Sequence, residues 1–158
     1  YRGLVGSEMC IRDRLCAGDI VVVTEDCKFA LTETTLGIPP AQIAPFVAQR
    51  IGLAKARRIM LTAARFTGKE AFEMGLADFI AKDANDLKNI ESDIIKGVMN
   101  CAPGANAITK EIVLATRHLE RSEMIDFAAK GFAERMLSDE GREGIASFIE
   151  KRKPKWSK

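Results

Sequence analysis

The sequence predicts an α/β fold that gives way to an all-helical tail, with the change falling at residue 82. Three observations predict it. The run DIVVVT, Asp19 to Thr24, is continuously apolar and β-branched, as expected of a strand covered on both faces in a parallel sheet. After TLGIPP the apolar spacing turns helical from Ala41 onward. Beyond Lys82 no strand pattern recurs.

Residues 1–14 stand apart. In LVGSEMCIRDR the apolar residues Leu4, Val5, Met9, Cys10 and Ile11 share no single face. The run resembles one reading frame of a transposase-type sequencing-library adapter, so Tyr1 to Arg14 is set aside as a non-native scar. The expected organisation is residues 1–14 scar, 15–82 α/β part and 83–158 helical tail, the whole being the C-terminal part of a longer protein.

Each element has its local reason. DIVVVT is bounded by Gly18 and by Glu25 and Asp26, and a short extended piece, KFAL, follows it. TLGIPP is a turn that starts a helix with proline in its first turn. Ile43, Phe46, Val47, Ile51, Ile59 and Met60 then form apolar stripes, with Arg50, Lys55, Arg57 and Arg58 on the polar side and Gly52 dividing two short helices. Thr67 caps a helix carrying Glu70, Phe72 and Met74, Gly75 ends it, and LADFIA returns as a strand. Helices are predicted over 83–100, 105–119 and 122–137, the last capped by Ser122. A final helix starts near Ser138 and Asp139 and runs to KRKPKWSK, where Pro154 forbids continuation.

Composition narrows the function classes. With 47% hydrophobic and 29% charged residues the chain has the balance of a soluble globular protein, long enough for about one domain. Its 24 basic and 22 acidic residues leave a net charge of +2, too small for bulk attraction to nucleic acid or a membrane. No run is long and apolar enough to span a bilayer, and a cytoplasmic location is expected. Cys16, Cys27 and Cys101 match no disulfide or metal spacing and are expected to be reduced, partly buried thiols. His118, the only histidine, lies in ATRHLE, where a surface or capping role is expected and a metal site is not.

One acidic residue stands out. Glu33 sits where an apolar strand meets a Gly/Pro turn, flanked by Leu31, Leu36 and Ile38, so its carboxyl is expected to be partly desolvated. Desolvation favours the protonated acid, the form a general acid needs. A plain solvated glutamate at a strand end is the competing reading.

The run from Asp19 to Ala81 resembles the central signature of the crotonase superfamily, the enoyl-CoA hydratases and isomerases. The resemblance is carried in order by Asp19 to Val23, the Lys28-Phe29 pair, the Glu33-x-x-x-Gly37 step, the proline turn, Arg57-Arg58, Leu61-Thr62 and Gly75-Leu76. EGIASFIEKRKPKW is similar to the family's C-terminus, and PPAQIAPFV is most similar to the branched glutaconyl-CoA hydratases. The implied fold is the C-terminal part of the crotonase ββα spiral followed by a helical oligomerisation tail.

The resemblance implies addition of water across the double bond of an acyl-CoA thioester, with two glutamates handling water and proton and two backbone N–H groups holding the thioester oxyanion. Glu33 matches the second glutamate and takes acid/base duty at the α carbon. Thr32 and Leu36 line the acyl pocket, with ordinary core as the alternative for Leu36. Phe132, Phe148 and Lys151 match positions that meet the adenine and phosphates of coenzyme A bound to a neighbouring subunit; core anchors and a solvated basic end are the alternatives. No cofactor is implied beyond the coenzyme A of the substrate, and a homotrimer or hexamer is expected. The first glutamate would fall about twenty residues before Glu33, at Asp13 inside the foreign run, so the chain as given is expected to be inactive.

Two other readings stay open. The same fold supports isomerisation and other enolate chemistry. A non-catalytic oligomerisation or RNA-binding fragment would use KRKPKWSK as its contact, though the small net charge makes a nucleic-acid partner the weaker expectation.

Overall fold

A computed structural model describes residues 15–157. The expectations for Tyr1 to Arg14, including Asp13, lie outside the described residues. Two compact units divide between Ser92 and Asp93.

In the first unit, strand β1 (Val22–Thr24) pairs in parallel with β4 (Phe79–Ala81), Val23 facing Ile80. Strand β2 (Lys28–Ala30) pairs antiparallel with β3 (Arg65–Thr67), and the opposed Phe29 and Phe66 rings stack at 5.2 Å. The predicted strand over DIVVVT is shorter, and only one of its faces is fully covered. Val21 and Val23 are buried while Val22 is half-buried and Ile20 exposed. The ladder starts late because a side chain serves Val21: its N–H donates to the Asp78 carboxylate at 2.7 Å.

Helices α1 (Ala44–Ile51) and α2 (Leu53–Leu61) divide at Gly52, as the spacing predicts. Gly52 has φ 80, a left-handed value that a side chain disfavours. The proline in the first turn of α1 is Pro45; Pro39 and Pro40 belong to the turn before it, where the Ala41 N–H donates to the Pro39 carbonyl. Ile43, Val47, Ile51, Ile59 and Met60 pack with Leu31, Phe66 and Leu76 into the core. Arg50 departs from the solvated role expected of it. Its guanidinium donates to the Leu76 carbonyl at 2.5 Å, to the Gly18 carbonyl at 2.9 Å and to the Asp78 carboxylate.

Helix α3 (Gly68–Glu73) starts in the predicted manner. The Thr67 hydroxyl accepts from the Glu70 N–H at 3.3 Å, and the Glu70 carboxylate accepts from the Thr67 N–H at 2.8 Å, a reciprocal capping box. Gly68 lies so close to β1 that a Cβ there would sit 1.9 Å from the Thr24 carbonyl oxygen.

Helix α4 (Ala84–Met99) runs across the division between the units. In the second unit α5 (Pro103–Ala115) packs on α6 (Arg121–Leu137), which packs on α7 (Asp139–Ile149). Helix α5 stops at Ala115, short of the expected 119. The cap of α6 is Glu120, not Ser122: the Glu120 carboxylate and the Glu123 N–H face each other across the box, and Ser122 is already helical. Ser138 caps α7 by accepting the Gly141 N–H at 3.1 Å. Helix α7 ends at Ile149, ahead of the stop expected from Pro154, because Lys151 turns left-handed at φ 53.

The three described cysteines are free; Cys16 and Cys27 are half-buried as expected, whereas Cys101 is exposed. Burial pushes the Cys27 thiol up from its ordinary value, against hydrogen bonds from Thr24. His118 is exposed, in the turn after α5.

Candidate active site

The site grows from the reversal after β2. The Leu31 N–H donates to the Ala64 carbonyl, which holds the end of the strand in the unit. A 3-10 turn over Glu33–Leu36 follows. The Thr32 carbonyl accepts both the Thr35 N–H at 3.0 Å and the Thr35 hydroxyl at 2.6 Å. Gly37 closes the turn at φ 75, the left-handed position that glycine tolerates without strain, and the Ile38 N–H returns to the Glu33 carbonyl at 3.3 Å. With the Gly37 N–H donating to the Glu33 and Thr34 carbonyls, six main-chain groups of Thr32 to Ile38 are satisfied within seven residues, which holds the backbone that carries Glu33.

The Glu33 side chain is different. The residue is half-buried, and its Oε2 is shut off from solvent with no hydrogen-bond partner among the described residues. Buried side-chain oxygens are paired in the large majority of cases. A carboxyl oxygen held dry and unpaired beside a rigid turn is suited to receive or release a proton, or to accept a hydrogen bond from a bound molecule.

The surroundings of Glu33 differ from the expectation in one respect. Leu31 is buried, but Leu36 is 74% exposed and Ile38 is also exposed, so these two do not belong to the core of this unit. Thr32 is half-buried beside Glu33. The structure therefore brings Thr32, Glu33 and Leu36 onto one turn. It also shows a residue that local sequence reading missed. The Thr34 hydroxyl donates to the Met60 carbonyl at 3.1 Å, tying the turn to the last turn of α2. No short-range pattern signals that bond, since its partners are far apart in sequence.

Phe132, Phe148 and Lys151 lie in the second unit, on α6, near the end of α7 and just beyond it. Phe132 is 67% and Phe148 85% exposed, so neither is a core anchor of that unit. Lys151 is exposed. Among the described residues no three His, Cys, Asp or Glu side chains come together as a metal-ligand set. Among them, too, no helix is long and apolar enough to cross a membrane.

Residues 14–158 match the sequence profile of the family described as enoyl-CoA hydratase/isomerase. The chain belongs to that family. Of the solved structures similar to this family member, Pseudomonas aeruginosa AtuE has a TM-score of 0.91 at 46% identity, over 93% of this chain and 57% of that one. An enoyl-CoA hydratase/isomerase from Marinobacter aquaeolei has a TM-score of 0.88 at 38% identity, over 91% of this chain and 55% of that one. The peroxisomal Delta(3,5)-Delta(2,4)-dienoyl-CoA isomerase of Arabidopsis thaliana is 30% identical over 150 residues, 92% of this chain and 53% of the relative. The chain thus spans about half the length of the curated relatives it matches. The fold of this family member is crotonase-like, an α/β part with few strands followed by helices.

Proposed function

We propose that the protein carrying this chain is a hydratase that adds water across the α,β double bond of an acyl-CoA thioester, with Glu33 as the acid/base group at the α carbon. The observation that carries the reading is the Glu33 Oε2, dry and unpaired on a turn held by its own backbone hydrogen bonds. Water oxygen bonds to the β carbon, the π electrons pass through the α carbon toward the thioester oxygen, and the Glu33 proton goes to the α carbon as the carbonyl re-forms. The proton lost by water goes to a second carboxylate, which the family resemblance supplies and which the described residues do not include. Coenzyme A enters only as part of the substrate. PPAQIAPFV favours a branched glutaconyl-CoA as the acyl group. Phe132, Phe148 and Lys151, all exposed on the helical unit, suit contact with the nucleotide of a coenzyme A bound to a neighbouring copy in a trimer or a pair of trimers, in a cytoplasmic enzyme.

A second reading, isomerisation of a double bond, is favoured by the isomerase name of the Arabidopsis relative. One assay separates them. The intact protein is incubated with branched 2-enoyl-CoA thioesters, and the product is analysed by mass: a gain of one water supports hydration, an unchanged mass with a moved double bond supports isomerisation. Glu33→Gln should reduce turnover by at least about 10³-fold, since an amide carries no transferable proton. Unchanged turnover in that variant would remove Glu33 from the mechanism.

A further inference from the structure

The end of α7 is closed by a charged clasp that the reaction itself does not use. Arg152 places Nη1 2.6 Å from Glu143 Oε1 and Nη2 3.1 Å from Glu143 Oε2, a two-pronged pair, while its Nε lies 2.5 Å from Glu150 Oε2. The Lys155 N–H donates to the same Glu143 Oε1 at 3.0 Å. The Glu143 side chain is only 13% exposed, so this pairing is partly removed from water.

Lys151 lies between α7 and the clasp. Its φ of 53 is left-handed, a conformation disfavoured for any residue with a Cβ and retained only where the surroundings over-determine it. They do so here. The Lys151 N–H donates to the Phe148 carbonyl, the Arg152 N–H donates to the Ser147 carbonyl, and the Arg152 side chain is held back on α7 by Glu143. The charges are also sorted. Arg152 is matched by Glu143 and Glu150, whereas Lys151 is exposed and has no ion-pair partner among the described residues. Phe148, one turn before it, is almost fully exposed.

We propose that Glu143, acting through Arg152, is a positioning residue: it holds Lys151 in its left-handed turn, so that the Lys151 ammonium and the Phe148 ring are presented together to the phosphates and base of coenzyme A. The inference rests on the reading above, in which Lys151 and Phe148 meet that nucleotide. It adds the reason why a strained lysine is kept where glycine would fit. A bidentate Arg–carboxylate pair fixes direction as well as distance, which a flexible tail could not do.

Coenzyme A binding to the intact protein, titrated by calorimetry, tests this without turnover. Glu143→Gln should weaken binding about tenfold by loosening the two-pronged pair. Lys151→Gly keeps the left-handed turn without strain but has no ammonium, so it should weaken binding by a similar factor while leaving the melting temperature unchanged or higher. The double variant should bind no more weakly than Lys151→Gly alone, because Glu143 acts through Lys151. Unchanged affinity in either single variant, or effects that multiply in the double variant, would overturn the proposal. If Glu143→Gln does not fold, Arg152→Lys, which keeps the charge but not the fork, replaces it with the same expectation. An unsubstituted protein that binds no coenzyme A would sink both this inference and the reading it rests on, whereas intact binding without hydration would count against the hydratase chemistry alone.

Discussion

The Thr34 hydroxyl and the Met60 carbonyl are joined at 3.1 Å, which fastens the turn bearing Glu33 to the end of α2. Glu33 thus takes its place from a helix as well as from its own turn. Removing the hydroxyl with Thr34→Val should cost about 1 kcal/mol of stability, the net worth of one such bond. On the role proposed for Glu33, turnover by the intact protein should fall about tenfold through looser placement of that carboxyl, with substrate affinity little changed. Thr34→Ser should restore both. Steady-state kinetics beside denaturant titration checks this, and equal losses in the Val and Ser variants would contradict it.

Arg50 and Asp78 bind a helix to the strand pair. Arg50 reaches two main-chain carbonyls and the Asp78 carboxylate, which in turn accepts the Val21 N–H. Arg50→Met strands these acceptors and should destabilise the protein by about 2–3 kcal/mol. Asp78→Asn keeps a partly competent acceptor and should cost less. Urea midpoints at constant slope measure both, and a greater loss in Asp78→Asn would show that the carboxylate, not the guanidinium, organises the joint.

Two glycines should respond for different reasons. At Gly68 a methyl group would meet the Thr24 carbonyl oxygen at 1.9 Å, so Gly68→Ala requires backbone movement and should cost about 1–3 kcal/mol. At Gly37 there is open space but φ is 75, so Gly37→Ala should cost about 1 kcal/mol through conformation alone. Thermal melts rank the pair; a larger effect at Gly37 would mean that conformation outweighs crowding.

Acid should weaken the clasp on α7. The Arg152 hydrogen bonds first, then the Lys155 N–H and the charges of both residues, outweigh desolvation and hold the Glu143 carboxyl at about 2, below its ordinary 4.5. Hydrogen bonds from Thr67 lower Glu70 as well. A carboxyl lowered on folding adds stability that is fully present above its unfolded value and is lost as pH falls through its folded one. Stability should therefore decline from about pH 4.5 toward about pH 2, and Glu143→Gln should flatten part of that decline. Melting temperatures across this range decide it; an identical slope in the variant would show that Glu143 is not a contributor.

The sequence by itself determined the elements whose causes are local. The β-branched run at Val22, the break at Gly52, the Thr67–Glu70 box and the Ser138 cap are each set by neighbours within a few residues, and each is present. The ordered motif around Glu33 also sufficed to point to the family. Boundaries were less legible: Glu120 replaced Ser122 as a cap because a carboxylate can close the same box, and α7 stopped at Ile149 because Lys151 turned first.

Only the tertiary structure decided what depends on partners distant along the chain. It turned Arg50 from a surface cation into a joint, sealed one Glu33 oxygen from water, exposed Leu36, and matched Arg152 to Glu143. Periodicity reports which face of an element is apolar, but not which remote carbonyl or carboxylate that face will meet. Desolvation and pairing are properties of the packed neighbourhood, so which side chains are dry and which are paired was decided there.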